Sequence, residues 1–162
     1  MNQEPQNKDL DSTVFLLHMT LYSYQKSIDN IVGNGSRAIL TFGIPYLMEI
    51  LRYGELSELN KSKSIDENMT SYLSIIKKNG IKDAKLKRES ENVYSFEIKE
   101  CDFAQRNHKI FKSDSICPFA IVAAAIVFYK TEAHISIQES ILNKQGSKTM
   151  FTLHEKIRDN IS

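Results

Sequence analysis

This chain of 162 residues has two cysteines, three prolines and no long apolar run, and neither sign of charge dominates it. Two cysteines without a secretion signal read as thiols, not as a disulfide framework. The longest near-continuous apolar run, Pro118 to Tyr129, is too short to span a bilayer, so no membrane insertion is expected. Lysine and arginine number 21 against 20 acidic residues, interleaved along the chain, for a net charge of +1. That balance excludes the one-sided basic field of a nucleic-acid binder. Low-complexity tracts are missing too, which points to a globular protein. The first ten residues, MNQEPQNKDL, lack the basic and apolar regions of a signal peptide, and a cytoplasmic address is expected.

Catalytic signatures are equally scarce. GNGSR, at 33–37, lacks the lysine and spacing of a phosphate loop. No GxSxG, HExxH or DFG-like pattern occurs, and the carboxylates are scattered instead of paired. These absences favour a binding domain over an enzyme, with no cofactor implied.

At this length one domain is expected, with residues 1–9 polar and frayed and residues 10–162 forming the domain. Leu10, Val14, Leu17, Leu21, Tyr24, Ile28 and Ile31 recur at alternating spacings of four and three, a heptad seam along one long helix. The seam either packs on its own domain or meets the same helix of a second subunit. Gly33-Asn34-Gly35 ends it, Ser36 can cap the next helix, and Pro45 predicts a kink within Arg37 to Tyr53. Ser64 and Glu67 have capping-box spacing for a third helix, with Met69, Tyr72, Leu73 and Ile76 on its apolar face. Then the period changes. Tyr94, Phe96 and Ile98 alternate with polar residues as in a half-buried strand, partnered by Ala84 to Glu89. Pro118 opens an almost wholly apolar helix, and Ile135, Ile137 and Ile141 alternate on a strand that returns through Phe151 and Leu153. Glu139 is in phase with those isoleucines, which would turn a carboxylate toward the core. The expected fold is therefore α+β: N-terminal helices and a buried central helix packed on a four-stranded antiparallel sheet made of two hairpins.

Chemistry concentrates between Cys101 and Phe151. Cys117 lies beside a helix N-terminus, where free amides favour a thiolate, so it is the candidate reactive thiol. The alternative is a small half-buried residue at the start of the helix. Cys101, His108 and Cys117 are the residual candidates for a metal site, but six and eight intervening residues are not zinc-finger or ribbon spacings.

The segments ECDFAQRNH (100–108), ICPFA (116–120) and ESILNKQGSKTMF (139–151) resemble the 4-vinyl-reductase domain family of hydrocarbon-binding proteins, related in fold to the TRAPP vesicle-tethering subunits. The family's tail has a Glu, a Cys three residues on, a Gly four further and a second Cys before an aromatic. Here the positions hold Glu139, Leu142, Gly146, Met150 and Phe151. Leucine cannot bind zinc and a thioether binds it poorly, so the resemblance implies a metal site that has degenerated, and no metal is expected.

The resemblance also implies a homodimer with a cavity between helices and sheet for an apolar ligand: a hydrocarbon, an aromatic, an acyl chain or a tetrapyrrole. Phe42, Gly43, Tyr46, Phe119 and Ala123 are the candidate lining residues, and the same residues would equally fill an ordinary core. The expected function is a non-catalytic binding or sensing domain. The alternatives are an enzyme or accessory protein of tetrapyrrole reduction, and a scaffold for another protein.

Overall fold

The amphipathic pattern that opens the sequence forms α1, a 25-residue helix over Lys8–Val32. The computed structural model describes residues 8–32, 43–44, 46–47, 49, 63–104, 108–109, 116–138 and 140–154. The helix starts at Lys8, inside the segment expected to be frayed, and runs to the residue before Gly33. Gly43, Ile44, Tyr46, Leu47 and Glu49 are helical, as the sequence predicts for 37–53. The Pro45 kink and the Gly33–Ser36 boundary lie outside the described residues. So does the orientation of Glu139.

The helix α2 spans Ile65–Lys78. It starts where the capping box predicts: Ser64 Oγ accepts from the Glu67 amide at 3.2 Å, and the Glu67 carboxylate accepts from the Ser64 amide at 2.6 Å. Those bonds from Ser64 hold the Glu67 carboxyl below the ordinary glutamate range. Gly80, at φ +85°, makes the left-handed exit, and its carbonyl accepts from the Asp102 amide at 2.9 Å. This ties the start of the sheet to its second strand. The third described helix, α3, spans Pro118–Thr131 with proline in its first turn. Ala123, Ala124, Ala125, Ile126 and Val127 are completely buried, so it is the central helix its composition predicts.

Five antiparallel strands follow: β1 (Ile81–Arg88), β2 (Val93–Cys101), β3 (His134–Ile137), β4 (Ile141–Leu142) and β5 (Ser147–His154). The order is β1-β2-β5-β3, with β4 also paired to β5. The fold is α+β as expected, but the second hairpin is not two unbroken strands. Ile137 pairs with Phe151 and Ile141 with Lys148, so four steps on one side match three on the other. One extra residue therefore sits between β3 and β4, as in a β-bulge, and it reverses the alternation of side chains. Ile135 and Ile137 are buried, whereas Ile141, expected in phase with them, is 70% exposed. Ser140 turns inward in its place.

The core lies between the helices and the face of the sheet carrying Tyr94, Phe96, Ile98 and Phe151. Tyr94 and Phe151 are cross-strand partners whose rings stack at 5.9 Å. Phe96 and Phe151 are fully buried, each worth about 1.5–3 kcal/mol in apolar area removed from water. The opposite face carries exposed ion pairs such as Lys85–Glu97 at 3.1 Å, whose solvent screening leaves them little net effect. Among the described residues no helix is long and apolar enough to cross a membrane.

Candidate functional site

Cys101, His108 and the turn at Gly146 meet at one end of the sheet. The turn from β4 to β5 is closed by Asn143, whose side-chain oxygen accepts from the Gln145 and Gly146 amides at 2.8 and 2.6 Å. Its own amide donates to the Gly146 carbonyl at 3.0 Å. An asparagine holding the backbone two and three residues ahead is a short-range turn lock. Gly146 then lies flat against β2. A Cβ built on it would fall 1.8 Å from the Ile98 carbonyl oxygen, so only glycine fits. The Cys101 amide donates to the Gln145 carbonyl at 2.8 Å and completes the attachment.

From the other side comes the turn at His108 and Lys109, where the His108 amide donates to the Ala104 carbonyl at 2.9 Å. His108 Nδ1 lies 2.5 Å from the Asn143 carbonyl oxygen. A carbonyl can only accept, so Nδ1 carries the proton. Between this turn and the β4–β5 turn runs a half-open cleft of about 470 Å³, lined by Ala104, His108, Lys109, Leu142, Asn143 and Lys144. Its volume is within the range of about 300–1,000 Å³ usual for small-molecule sites. Ala104 is buried and Leu142 half-buried, while Lys109, Asn143 and Lys144 are exposed.

The start of α3 is fixed by buried polar contacts. Ser140 Oγ accepts from the Cys117 amide at 2.7 Å and lies 2.6 Å from Thr149 Oγ1. The Gln25 side chain reaches from α1 to bracket Ile116, accepting from its amide at 3.2 Å and donating to its carbonyl at 3.4 Å. Buried backbone groups need such partners where the ladder and helix cannot supply them.

Cys117 is buried at this junction. Burial pushes its thiol up, against the opposing pull of Ser147 and of the Ala120 and Phe119 amides. The helix N-terminus expected to favour a thiolate is thus outweighed by loss of solvent, and no side-chain capping bond forms. Cys101, half-buried, is pushed up to about 11, again chiefly by burial. Neither cysteine is disulfide-bonded. Among the described residues no three of His, Cys, Asp and Glu are grouped to hold a metal ion, so Cys101, His108 and Cys117 are not brought together as ligands.

The candidate lining residues are dispersed. Ala123 is sealed in the core, and Phe119, half-buried, offers its carbonyl to the Tyr72 hydroxyl at 2.9 Å. Gly43 and Tyr46 stand at the surface, Tyr46 being 72% exposed. Phe42 lies outside the described residues. The cleft is instead built from residues that periodicity passes over, in a loop and a turn. Their one legible signal is the turn sequence Asn143-Lys144-Gln145-Gly146 between two strands. Comparison of the chain with protein-family models and with curated proteins finds no match. The resemblance to the 4-vinyl-reductase domain family therefore rests on the residues quoted for it.

Proposed function

We propose that this chain is a non-catalytic small-molecule-binding or sensing domain that works as a homodimer. The observation that carries the binding reading is the cleft of about 470 Å³ with Ala104 and Leu142 among its lining residues. Concave sites with an apolar surface and a few polar groups are the usual places where small ligands lodge. Thiols held protonated at neutral pH argue against nucleophilic chemistry, since the thiolate is the reactive form. The likeness to the 4-vinyl-reductase domain family supports the same reading, with the ligand site moved to the cleft.

Dimerisation is supported by the heptad seam. Leu17, Leu21, Tyr24 and Ile31 are 58%, 45%, 65% and 84% exposed in the single chain, instead of packed on its own domain. A stripe repeating every three and four residues is self-complementary when two copies of the helix lie together. Native mass spectrometry of protein purified from its own host tests both halves, with a dimer carrying an apolar small molecule as the expected species. A monomer without bound mass, which also takes up no apolar probe, would refute the proposal. The exposed stripe favours one second reading, a scaffold that seats a different protein on α1. A stable hetero-complex formed by an otherwise monomeric chain would select it.

A further inference from the structure

The geometry points to an anionic ligand: an acid with a short apolar body, its carboxylate held at the rim of the cleft by Lys109 and Lys144. This deepens the binding reading above and rests on it. The two ammonium groups come from different segments, one from the turn after β2 and one from the β4–β5 turn. Both are exposed, and neither has an ion-pair partner among the described residues. Elsewhere on the sheet lysines are matched: Lys82 with Asp102, Lys85 with Glu97, Lys87 with Glu89 and Lys99 with Asp83. Lys109 and Lys144 stand outside that pairing among the described residues.

Among the described residues its lining contains no carboxylate, so the charges that Lys109 and Lys144 bring to it are of one sign. A cleft with one sign of charge and low-dielectric walls concentrates the oppositely charged partner. Ala104 and Leu142 add apolar surface that a bare ion would leave wet. The β4–β5 turn is also held in place before any ligand arrives. Asn143 bonds at once to His108, Gln145 and Gly146, and the turn is fastened to β2 through the Gln145 carbonyl. Preorganisation of this kind lowers the ordering cost of binding. The lysines, with long flexible stems, supply point charges suited to a single carboxylate more than to a planar, two-pronged match.

Isothermal titration with decanoate, decanol and acetate separates the head from the body. Decanoate is expected to bind several-fold to about thirty-fold tighter than decanol, the range two part-exposed ion pairs give. Acetate is expected to bind much more weakly than decanoate. The decanoate advantage should shrink between 20 and 500 mM salt, because exposed charges are screened. Lys109→Gln with Lys144→Gln should bring decanoate down to the affinity of decanol and leave decanol unchanged. Both side chains are exposed, so the fold has no reason to suffer, and circular dichroism checks that. Equal affinity for decanoate and decanol in the native chain overturns the anionic assignment while leaving the binding reading intact. Acetate binding as tightly as decanoate overturns the role of the apolar body. Binding of none of the three removes the cleft as a ligand site altogether.

Discussion

Gly146→Ala should be among the most damaging single-methyl additions in this protein. The new Cβ would sit 1.8 Å from the Ile98 carbonyl oxygen, 2.7 Å from its carbon and 3.2 Å from the Lys99 carbonyl carbon. All three are backbone atoms of β2, so no side chain can rotate away and the turn itself has to lift. Lifting it stretches three hydrogen bonds: Gly146 to the Asn143 side chain, Asn143 to the Gly146 carbonyl, and Cys101 to the Gln145 carbonyl. At about 1 kcal/mol each these amount to about 3 kcal/mol, and overpacking at the buried Ile98–Ser147 pair adds about 1–2 kcal/mol more. The expected loss is about 4–5 kcal/mol, a large share of the 5–15 kcal/mol typical of a domain. Urea unfolding followed by far-ultraviolet circular dichroism measures it. Gly43→Ala is the matched control: an added Cβ there meets nothing within 4 Å on an exposed helical residue. It should stabilise by about 0.5–1 kcal/mol, the usual gain from removing a helical glycine. A Gly146→Ala protein within about 0.5 kcal/mol of the parent would refute the close approach on which the cleft's geometry depends.

Two further outcomes follow from the ionisable groups. Both thiols should react slowly with Ellman's reagent at pH 8 in the folded protein and promptly in urea, because burial holds them protonated; rapid native reaction of either would contradict that. Stability should also fall at both ends of the pH scale. Glu67, Glu89 and Glu97 lie below the ordinary glutamate range, held there chiefly by hydrogen bonds from Ser64, Lys87 and Lys85. Their contribution is present above the unfolded value and is lost as pH falls through about 5 to 3. Cys101 is raised, so its contribution is present below the unfolded value and is lost as pH climbs from about 9 toward 11. Urea midpoints across pH 3 to 11 should trace a plateau with two declining shoulders, and a monotonic curve would count against these assignments.

Local chemistry explains what could be read from the sequence. Ser64 with Glu67, Pro118 before an apolar run and the alternation from Tyr94 to Ile98 each have a short-range cause, and each formed the expected element. The strand through Ile141 failed at one residue. A bulge leaves the composition of a strand unchanged while reversing its faces, so Ile135 and Ile137 gave no warning of an exposed Ile141. Cys117 shows the same limit in electrostatics. Its neighbours in sequence indicate a favoured thiolate, but burial beneath residues distant in sequence, with Gln25 of α1, Ser140 and Ser147 of β5 around the junction, decides the direction. The cleft was illegible for a related reason, since two turns distant in sequence become its walls only when Gly146 and Cys101 fasten one of them to β2.

That fastening also explains why the buried polar residues stand where they do. Gln25 bonds α1 to Ile116, the next amide bonds Cys117 to Ser140, and Ser140 meets Thr149 on β5. Two residues beyond Ser140 lies Leu142, in the cleft wall. The bulge is what turns Ser140 inward, so the irregularity that breaks the second hairpin supplies the hydroxyl that anchors α3. A regular strand would have presented Ile141 to the core and left the Cys117 amide needing another acceptor, at a cost of about 1–3 kcal/mol for a buried group without one. The same chain of bonds runs from the helix with the exposed stripe to the wall of the cleft. Occupancy of one and pairing of the other would therefore act on a shared set of buried contacts. Spatial continuity alone does not make two sites communicate. What it fixes is where coupling would have to pass in the dimeric sensor proposed here: through the Gln25 amide and the hydroxyl of Ser140.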